Sequence, residues 1–132
     1  MREWLRLARV TAPAAPVLSL ADAKKHLRIF HADEDDYISS IVAAAEAFIE
    51  GPYGAGVCLQ PQEWRLSLDY FPCEILIPLG PVSEITEISY TDENGDASTV
   101  DDFRADYDRS PCVIWPARDE AWPAITIEPG AV

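Results

Sequence analysis

One amphipathic helix, predicted over residues 33–50, constrains the fold of this 132-residue chain more than any other segment. Asp33 is the expected N-cap, the acids at 34–36 suit the positive end of the helix dipole, and Gly51-Pro52 ends the helix. The apolar residues recur every three or four positions and form one stripe: Ile38, Ile41, Val42, Ala45, Phe48 and Ile49. Such a stripe requires an apolar surface to cover it.

A shorter helix is predicted just before this one. Ser19 is a suitable N-cap, and Leu20, Ala23 and Leu27 follow at i, i+3 and i+7 spacing on one face. Residues 11–17 contain two prolines and cannot be helical. We therefore expect an N-terminal arm over residues 1–17 and one domain over residues 18–132.

The chain changes to strand patterns after Gly54. Residues 63–71 alternate apolar and polar, and short strand-like runs follow every 8–12 residues, which is typical of an antiparallel meander. Pro78 cannot donate to a ladder, so the run around it is expected at a sheet edge. The sequence predicts an α+β fold in which two N-terminal helices pack on an antiparallel β-meander.

The core is expected where the second helix lies on the sheet. The residues predicted to be buried together are Ile38, Ile41, Phe48, Trp64, Leu66 and Leu68. Truncating Phe48 to Ala is then expected to cost about 3–5 kcal/mol.

The stretch SYTDENGDAS (89–98) resembles the start of a calcium loop but fails its template. Counted from Asp92, the sixth residue is Ala97 where the template has Gly, and the twelfth is Phe103 where it has Glu. Asn94-Gly95 instead favours a hairpin with a type I′ turn. We expect no metal here and an exposed acidic tip formed by Asp92, Glu93 and Asp96.

Charge is distributed unevenly along the chain, whose net charge is −13. Residues 1–28 carry six basic groups and two acids, whereas residues 29–132 carry four basic groups and 21 acids. An acidic body repels nucleic acid, because duplex phosphate is densely negative. The basic N-terminus is either a disordered end or an anchor on a neighbouring subunit, and its candidate contact residues are Arg2, Trp4, Leu5, Arg6, Leu7 and Arg9.

Sequence motifs of catalysis are absent from the chain: no nucleophile elbow, P-loop or zinc-protease motif occurs. Cys58, Cys73 and Cys112 match neither a zinc site nor a disulfide framework and are expected to be buried free thiols. We therefore expect no enzyme and no cofactor. The chain also lacks the run of about 18 apolar residues that a membrane span requires.

Three passages together resemble the head–tail connector (adaptor) proteins of long-tailed phages, prophages and gene transfer agents. They are PVLSLADAKKHLRI with DDYISSIVAAAEAFIE, then QPQEWRLSLDYFP with ILIPLGPVSEITEISYTDENGD, and finally DDFRADY with VIWPARDEAWP. The resemblance covers about residues 16–123.

The resemblance implies a structural subunit of a phage or phage-like particle, assembled in the bacterial host cytoplasm. Such adaptors form a ring, typically of twelve copies, and contact the portal protein and a tail-side stopper or tail terminator. The acidic body would let DNA pass through the channel without sequence-specific binding, with the tip at Asp92, Glu93 and Asp96 facing the lumen. Because the copies repel each other, we expect the isolated chain to be monomeric or weakly associated, with added salt promoting association.

Two other classes of protein compete with this interpretation. An acidic DNA mimic would suit the net charge, but its acids should line one face, and here most of them lie at predicted caps and turns. A small hydrolase that uses carboxylates has no motif to support it.

Overall fold

A computed structural model describes residues 6–52 and 54–132 of the chain. Its two helices and seven strands are β1 (Leu7–Thr11), α1 (Leu20–Leu27), α2 (Asp35–Ile49), β2 (Glu63–Leu66), β3 (Ile75–Ile77), β4 (Ser89–Thr91), β5 (Ala97–Thr99), β6 (Phe103–Asp106) and β7 (Cys112–Pro116). Within the described residues, no helix is long and apolar enough to cross a membrane.

Helices α1 and α2 form an antiparallel pair. The Ser19 hydroxyl caps α1 by accepting from the Asp22 N–H at 3.1 Å, as predicted. At one end of the pair, Lys24 Nζ lies 2.7 Å from Asp35 Oδ1. At the other end, Glu46 Oε1 accepts from the Val17 N–H at 2.6 Å, which ties the start of α1 to the end of α2.

The beginning of α2 differs from the prediction. The helix starts at Asp35, and its N-cap is Glu34, whose side chain makes no capping hydrogen bond. Asp33 is therefore not the cap, although Asp35 and Asp36 do occupy the first turn. The end of the helix is as predicted, because Gly51 takes a left-handed φ of 81° just after it.

The strands are antiparallel but belong to three separate sheets, with the orders β1–β2, β3–β7–β6 and β4–β5. The α+β class is confirmed, whereas a single continuous meander is not observed. Strand β3 lies at a sheet edge, as Pro78 predicted. The N-terminal segment contributes a strand of its own, since Leu7 pairs with Leu66 in the β1–β2 ladder.

The main core lies among the strands. Its buried members are Leu68, Ile75, Ile88 and Ile114. Partly buried residues that pack against them include Leu66, Phe71, Phe103, Trp122 and Val132. No residue of α1 or α2 belongs to this cluster within the described chain, although Ala23 and Ile38 are each buried in the helical pair.

Two of the six predicted core residues are exposed instead of buried. Ile38 and Leu68 are buried, and Trp64 and Leu66 are partly buried. The prediction is wrong for Ile41, which is 50% exposed, and for Phe48, which is 83% exposed. The physical reason is that α1 has only eight residues, too few to cover the 15-residue α2, and within the described residues no residue of α2 belongs to the core among the strands.

Candidate assembly surfaces

The acidic hairpin tip is closed by one carboxylate. Asp92 Oδ1 accepts from the backbone N–H of Asn94 at 2.8 Å and from that of Asp96 at 3.0 Å. The backbone closes the same loop, because the Asp92 N–H donates to the Asp96 carbonyl at 2.9 Å and the Gly95 N–H donates to the Asp92 carbonyl at 3.0 Å. Asp92 is thus a structural residue of the hairpin and is partly buried.

The turn type predicted for this hairpin is wrong. A type I′ turn requires positive φ at both Asn94 and Gly95, but only Gly95 has it, at 85°. The observed loop has three residues, Glu93, Asn94 and Gly95, and its last residue is left-handed, as in a hairpin with a G1 bulge. The Asx hydrogen bonds of Asp92 support this geometry.

Glu93 and Asp96 are exposed at the tip, and the described residues include no group of three or more His, Cys, Asp or Glu side chains arranged to hold a metal ion. Whether this tip faces a DNA channel stays a prediction.

The base of the hairpin is held by aromatic and backbone contacts. Tyr90 packs edge-on against Phe71 with ring centroids 5.7 Å apart, and Phe71 stacks on Trp122 at 5.0 Å. The Thr91 N–H donates to the Ala131 carbonyl at 2.8 Å. The hairpin base is therefore fixed to the C-terminal segment, while its acidic tip projects beyond these contacts.

The N-terminal basic residues that the structure describes contact their own chain. The Arg6 guanidinium pairs with Asp69, and the Arg9 guanidinium lies 5.2 Å from the centre of the Trp64 ring. Leu7 is partly buried in β1. Arg2, Trp4 and Leu5 lie outside the described residues, so contact between this segment and a neighbouring subunit stays a prediction.

Asp69 connects both ends of the described chain. Its Oδ1 binds Arg6 and also accepts from the Gly130 N–H at 3.1 Å. Beside it, Leu68 and Val132 exchange two backbone hydrogen bonds of 2.8 and 3.0 Å. The sequence pattern had assigned Asp69 only to the polar face of a strand, and no local signal pointed to partners more than 60 residues away.

An acidic cleft of about 320 Å³ lies near β5 and β7. Its lining includes Asp101, Asp102 and Glu120, together with Pro116 and Trp122. Trp122 Nε1 is buried and has no hydrogen-bond partner among the described residues. This cleft adds negative charge to the body but has no arrangement of groups that indicates catalysis.

The three thiols differ in their surroundings. Cys112 is buried and Cys58 is partly buried, but Cys73 is exposed, so the expectation of three buried thiols is wrong for Cys73. Burial raises the pKa of the Cys58 thiol, and the nearby Glu50 carboxylate adds to this, while Arg9 opposes it. Burial also raises the pKa of Cys112, with a further contribution from Asp106.

The uncovered side of α2 is the surface that sequence reasoning missed. It presents Tyr37, Ile41, Ala44 and Phe48 to solvent, with Tyr37 67% exposed. These positions follow 4-3-4 spacing, which places them along one line of the helix surface. We call this line the α2 strip. The spacing was visible in the sequence, but it could not show whether the covering surface belonged to the same chain.

Comparison with known proteins identifies a family. A family model described as phage gp6-like head-tail connector protein matches residues 17–102. The match contains α1, α2 and the whole β4–β5 hairpin. No curated protein and no solved structure matches the chain.

Proposed function

The chain belongs to the family of phage gp6-like head-tail connector proteins, and we propose that it is a ring-forming subunit between the portal and the tail that extends the DNA channel. The observation that carries the proposal is the family match, which spans both helices and the acidic hairpin. As a connector it is a structural component of the virion.

The proposed partners are the portal protein, neighbouring copies of this chain in a ring of about twelve, and a stopper or tail terminator on the tail side. The number of copies and these contacts follow from the resemblance described above. No catalytic step and no cofactor form part of this role.

The charge of the body supports a channel function. With 21 acids and four basic groups in residues 29–132, a ring of copies would present a strongly negative wall. DNA phosphates are repelled by such a wall, so DNA would pass without being held. We propose that the exposed carboxylates of Glu93 and Asp96 project into this channel.

Electron microscopy of the chain mixed with its portal tests the connector role. The expected result is a ring of this protein seated on the portal vertex. A chain that leaves the portal bare under all salt conditions, yet binds a nuclease or a DNA-binding protein as a monomer or dimer, would refute the connector role in favour of a DNA mimic.

Charge reversal tests the channel assignment separately. Glu93→Lys with Asp96→Lys should slow DNA release from assembled particles, because two cations at each tip would hold phosphate. Asp92 is left unchanged, since its carboxylate closes the loop. The matched control is Glu84→Lys with Glu87→Lys, which changes the net charge equally at two other exposed acids. DNA release at the wild-type rate from the tip variant would place the tip outside the channel.

A further inference from the structure

The α2 strip leaves a large apolar surface exposed to solvent. Tyr37 and Phe48 are 67% and 83% exposed, and at ~200 Å² for each aromatic side chain they present about 300 Å² together. Ile41, half exposed between them, extends the patch. A contiguous patch of this size is comparable to the largest on a typical monomer, and such patches commonly mark interaction sites.

The part of α2 that carries the strip has little charge, although the chain as a whole is acidic. One residue in four of the chain is charged, but residues 37–49 contain a single charged group, Glu46. The Glu46 carboxylate is bound to the N–H groups of Val17 and Leu18. Two copies with a net charge of −13 can therefore approach along residues 37–49 with little repulsion, because the nearest exposed acids, at 33, 34 and 36, lie at the N-terminal end of the helix. A basic partner would be drawn to the acidic surfaces instead.

An apolar hollow lies at the C-terminal end of the strip. Phe48, Ile49, Gly54 and Ala55 line it, and its volume is about 320 Å³. None of these four lining residues is charged. The hollow has room for one aromatic side chain.

The most exposed large apolar side chain of the described chain lies at the opposite end of the helical pair. Phe30 is 89% exposed in the turn between α1 and α2, close to Leu27, which is 55% exposed. The antiparallel contacts of Lys24 with Asp35 and of Val17 with Glu46 place this turn at the N-terminal end of α2. At 1.5 Å per residue, Phe48 lies about 20 Å away along the helix, so Phe30 does not reach the hollow of its own chain.

We propose that the α2 strip is a contact surface for a second copy of this chain, with Phe30 of one copy inserted into the hollow beside Phe48 of the next. The contact joins two different surfaces, and such head-to-tail contacts close into rings or continue as open chains. This inference rests on the proposed ring for its closure, and it assigns to that ring one pair of contacting surfaces. The association of the isolated chain is a separate measurement.

The contact is weak for a single pair of copies. The strip and hollow offer less apolar area than the roughly 800 Å² per partner buried in a standard stable interface. Repulsion between acidic bodies weakens it further at low salt. In a closed ring each copy makes the contact twice, once with each neighbour. Binding to a portal also raises the effective concentration of the copies, so a contact that is weak in a pair can stabilise the ring.

Sedimentation velocity of the isolated chain tests the proposal across protein concentration, from low salt to about 1 M NaCl. The mass of the sedimenting wild-type species should increase with protein concentration and with salt concentration, and it should exceed the mass of a dimer. Phe30→Ser and Phe48→Ser should each weaken association at least tenfold. Ala55→Lys should do the same by placing an ammonium group in the hollow. Ile127→Ser is the matched control, since it removes a 73% exposed apolar side chain outside the strip and should leave association unchanged.

Mixing the variants tests whether the contact joins two different surfaces of neighbouring copies. The Phe30→Ser chain keeps its hollow and the Phe48→Ser chain keeps its aromatic side chain, so an equimolar mixture should form a dimer but nothing larger. A wild-type chain that stays monomeric at millimolar concentration and high salt would overturn the proposal. The proposal would also be overturned if either single variant associated as strongly as the wild type, or if the mixture of the two variants formed no dimer.

The portal experiment separates this inference from the proposed function. If Phe48→Ser still forms rings on the portal, the contact surface is wrong and the connector role stands. If the wild-type chain associates through Phe30 and Phe48 but never engages the portal, the contact surface stands and the connector role fails.

Discussion

Truncation of Phe48 tests whether this side chain stabilises its own chain. Only about a sixth of its side chain is covered, because it is 83% exposed. With ~200 Å² for the side chain and ~25 cal/mol per Å², the covered part contributes less than about 1 kcal/mol. Phe48→Ala should therefore cost under about 1 kcal/mol, far below the 3–5 kcal/mol that a buried phenylalanine would give.

Ile114→Ala is the matched comparison inside the core. Ile114 is 2% exposed, lies in β7 and belongs to the main buried cluster. Its truncation should cost about 2–5 kcal/mol. With an unfolding entropy of ~2.1 cal/mol/K per residue, 1 kcal/mol shifts the midpoint of a chain of this length by about 3–4 °C. The expected losses are about 7–18 °C for Ile114→Ala and under about 4 °C for Phe48→Ala.

Thermal and urea unfolding of dilute protein at low salt measure both variants while the chain is monomeric. A loss above about 2 kcal/mol for Phe48→Ala, independent of protein concentration, would show that Phe48 is buried within its own chain. That result would refute both the exposed strip and the contact surface inferred from it.

Three further predictions follow from local contacts. Asp92→Ala should destabilise the protein by about 1–2 kcal/mol in urea unfolding, because two backbone N–H groups lose a charged acceptor, while Asp92→Asn keeps one acceptor oxygen and should cost less. At pH 8, iodoacetamide followed by mass spectrometry should modify exposed Cys73 first. Cys58 and Cys112 should lag because their raised pKa values leave less thiolate, and their rates should rise as the pH increases further. Gly54→Ala should cost about 1–3 kcal/mol in thermal unfolding, because the new Cβ would lie 2.5–2.7 Å from three carbonyl oxygens at the end of α2.

Each of these predictions has a clear contrary result. Equal stability of Asp92→Ala and wild type would mean that the backbone alone closes the hairpin. Modification of Cys112 as fast as Cys73 would mean that β7 opens readily. An unchanged melting curve for Gly54→Ala would mean that residues 54–55 do not pack on the carbonyl end of α2.

The hairpin shows what local sequence can and cannot predict. Asn94-Gly95 between strand-forming residues correctly located the turn, since few residues adopt positive φ readily. The turn type was missed because Asp92 supplies its own acceptor to the loop, and Gly95 alone then takes the left-handed conformation. The preference of an Asn-Gly pair for a type I′ turn does not take into account the side chain of Asp92, two residues before Asn94.

The α2 strip marks a different limit. Periodicity predicted the helix and its apolar residues, and it ended the helix correctly at Gly51. Periodicity cannot identify the surface that covers an apolar stripe. Ile38, which is buried, and Phe48, which is exposed, therefore fit the same sequence pattern. Asp69 was missed for a related reason, because Arg6 and Gly130 approach it only after the whole chain has folded.

The separation of the helical pair from the main cluster has a consequence for the motions of the protein. Ala23 and Ile38 are buried between the helices, while Leu68, Ile75, Ile88 and Ile114 form their own cluster among the strands. Two such units can open at different free energies, and the one with less buried apolar area opens first. Backbone hydrogen bonds of Gly51 with Val57 and of Cys58 with Gly80 tie the end of α2 to the segment that follows β3. The helical pair should therefore open first at its other end, the turn between α1 and α2. In the proposed ring, a subunit built in this way could adjust the contact that Phe30 makes with its neighbour without disturbing its own strands, and so fit rings of slightly different curvature.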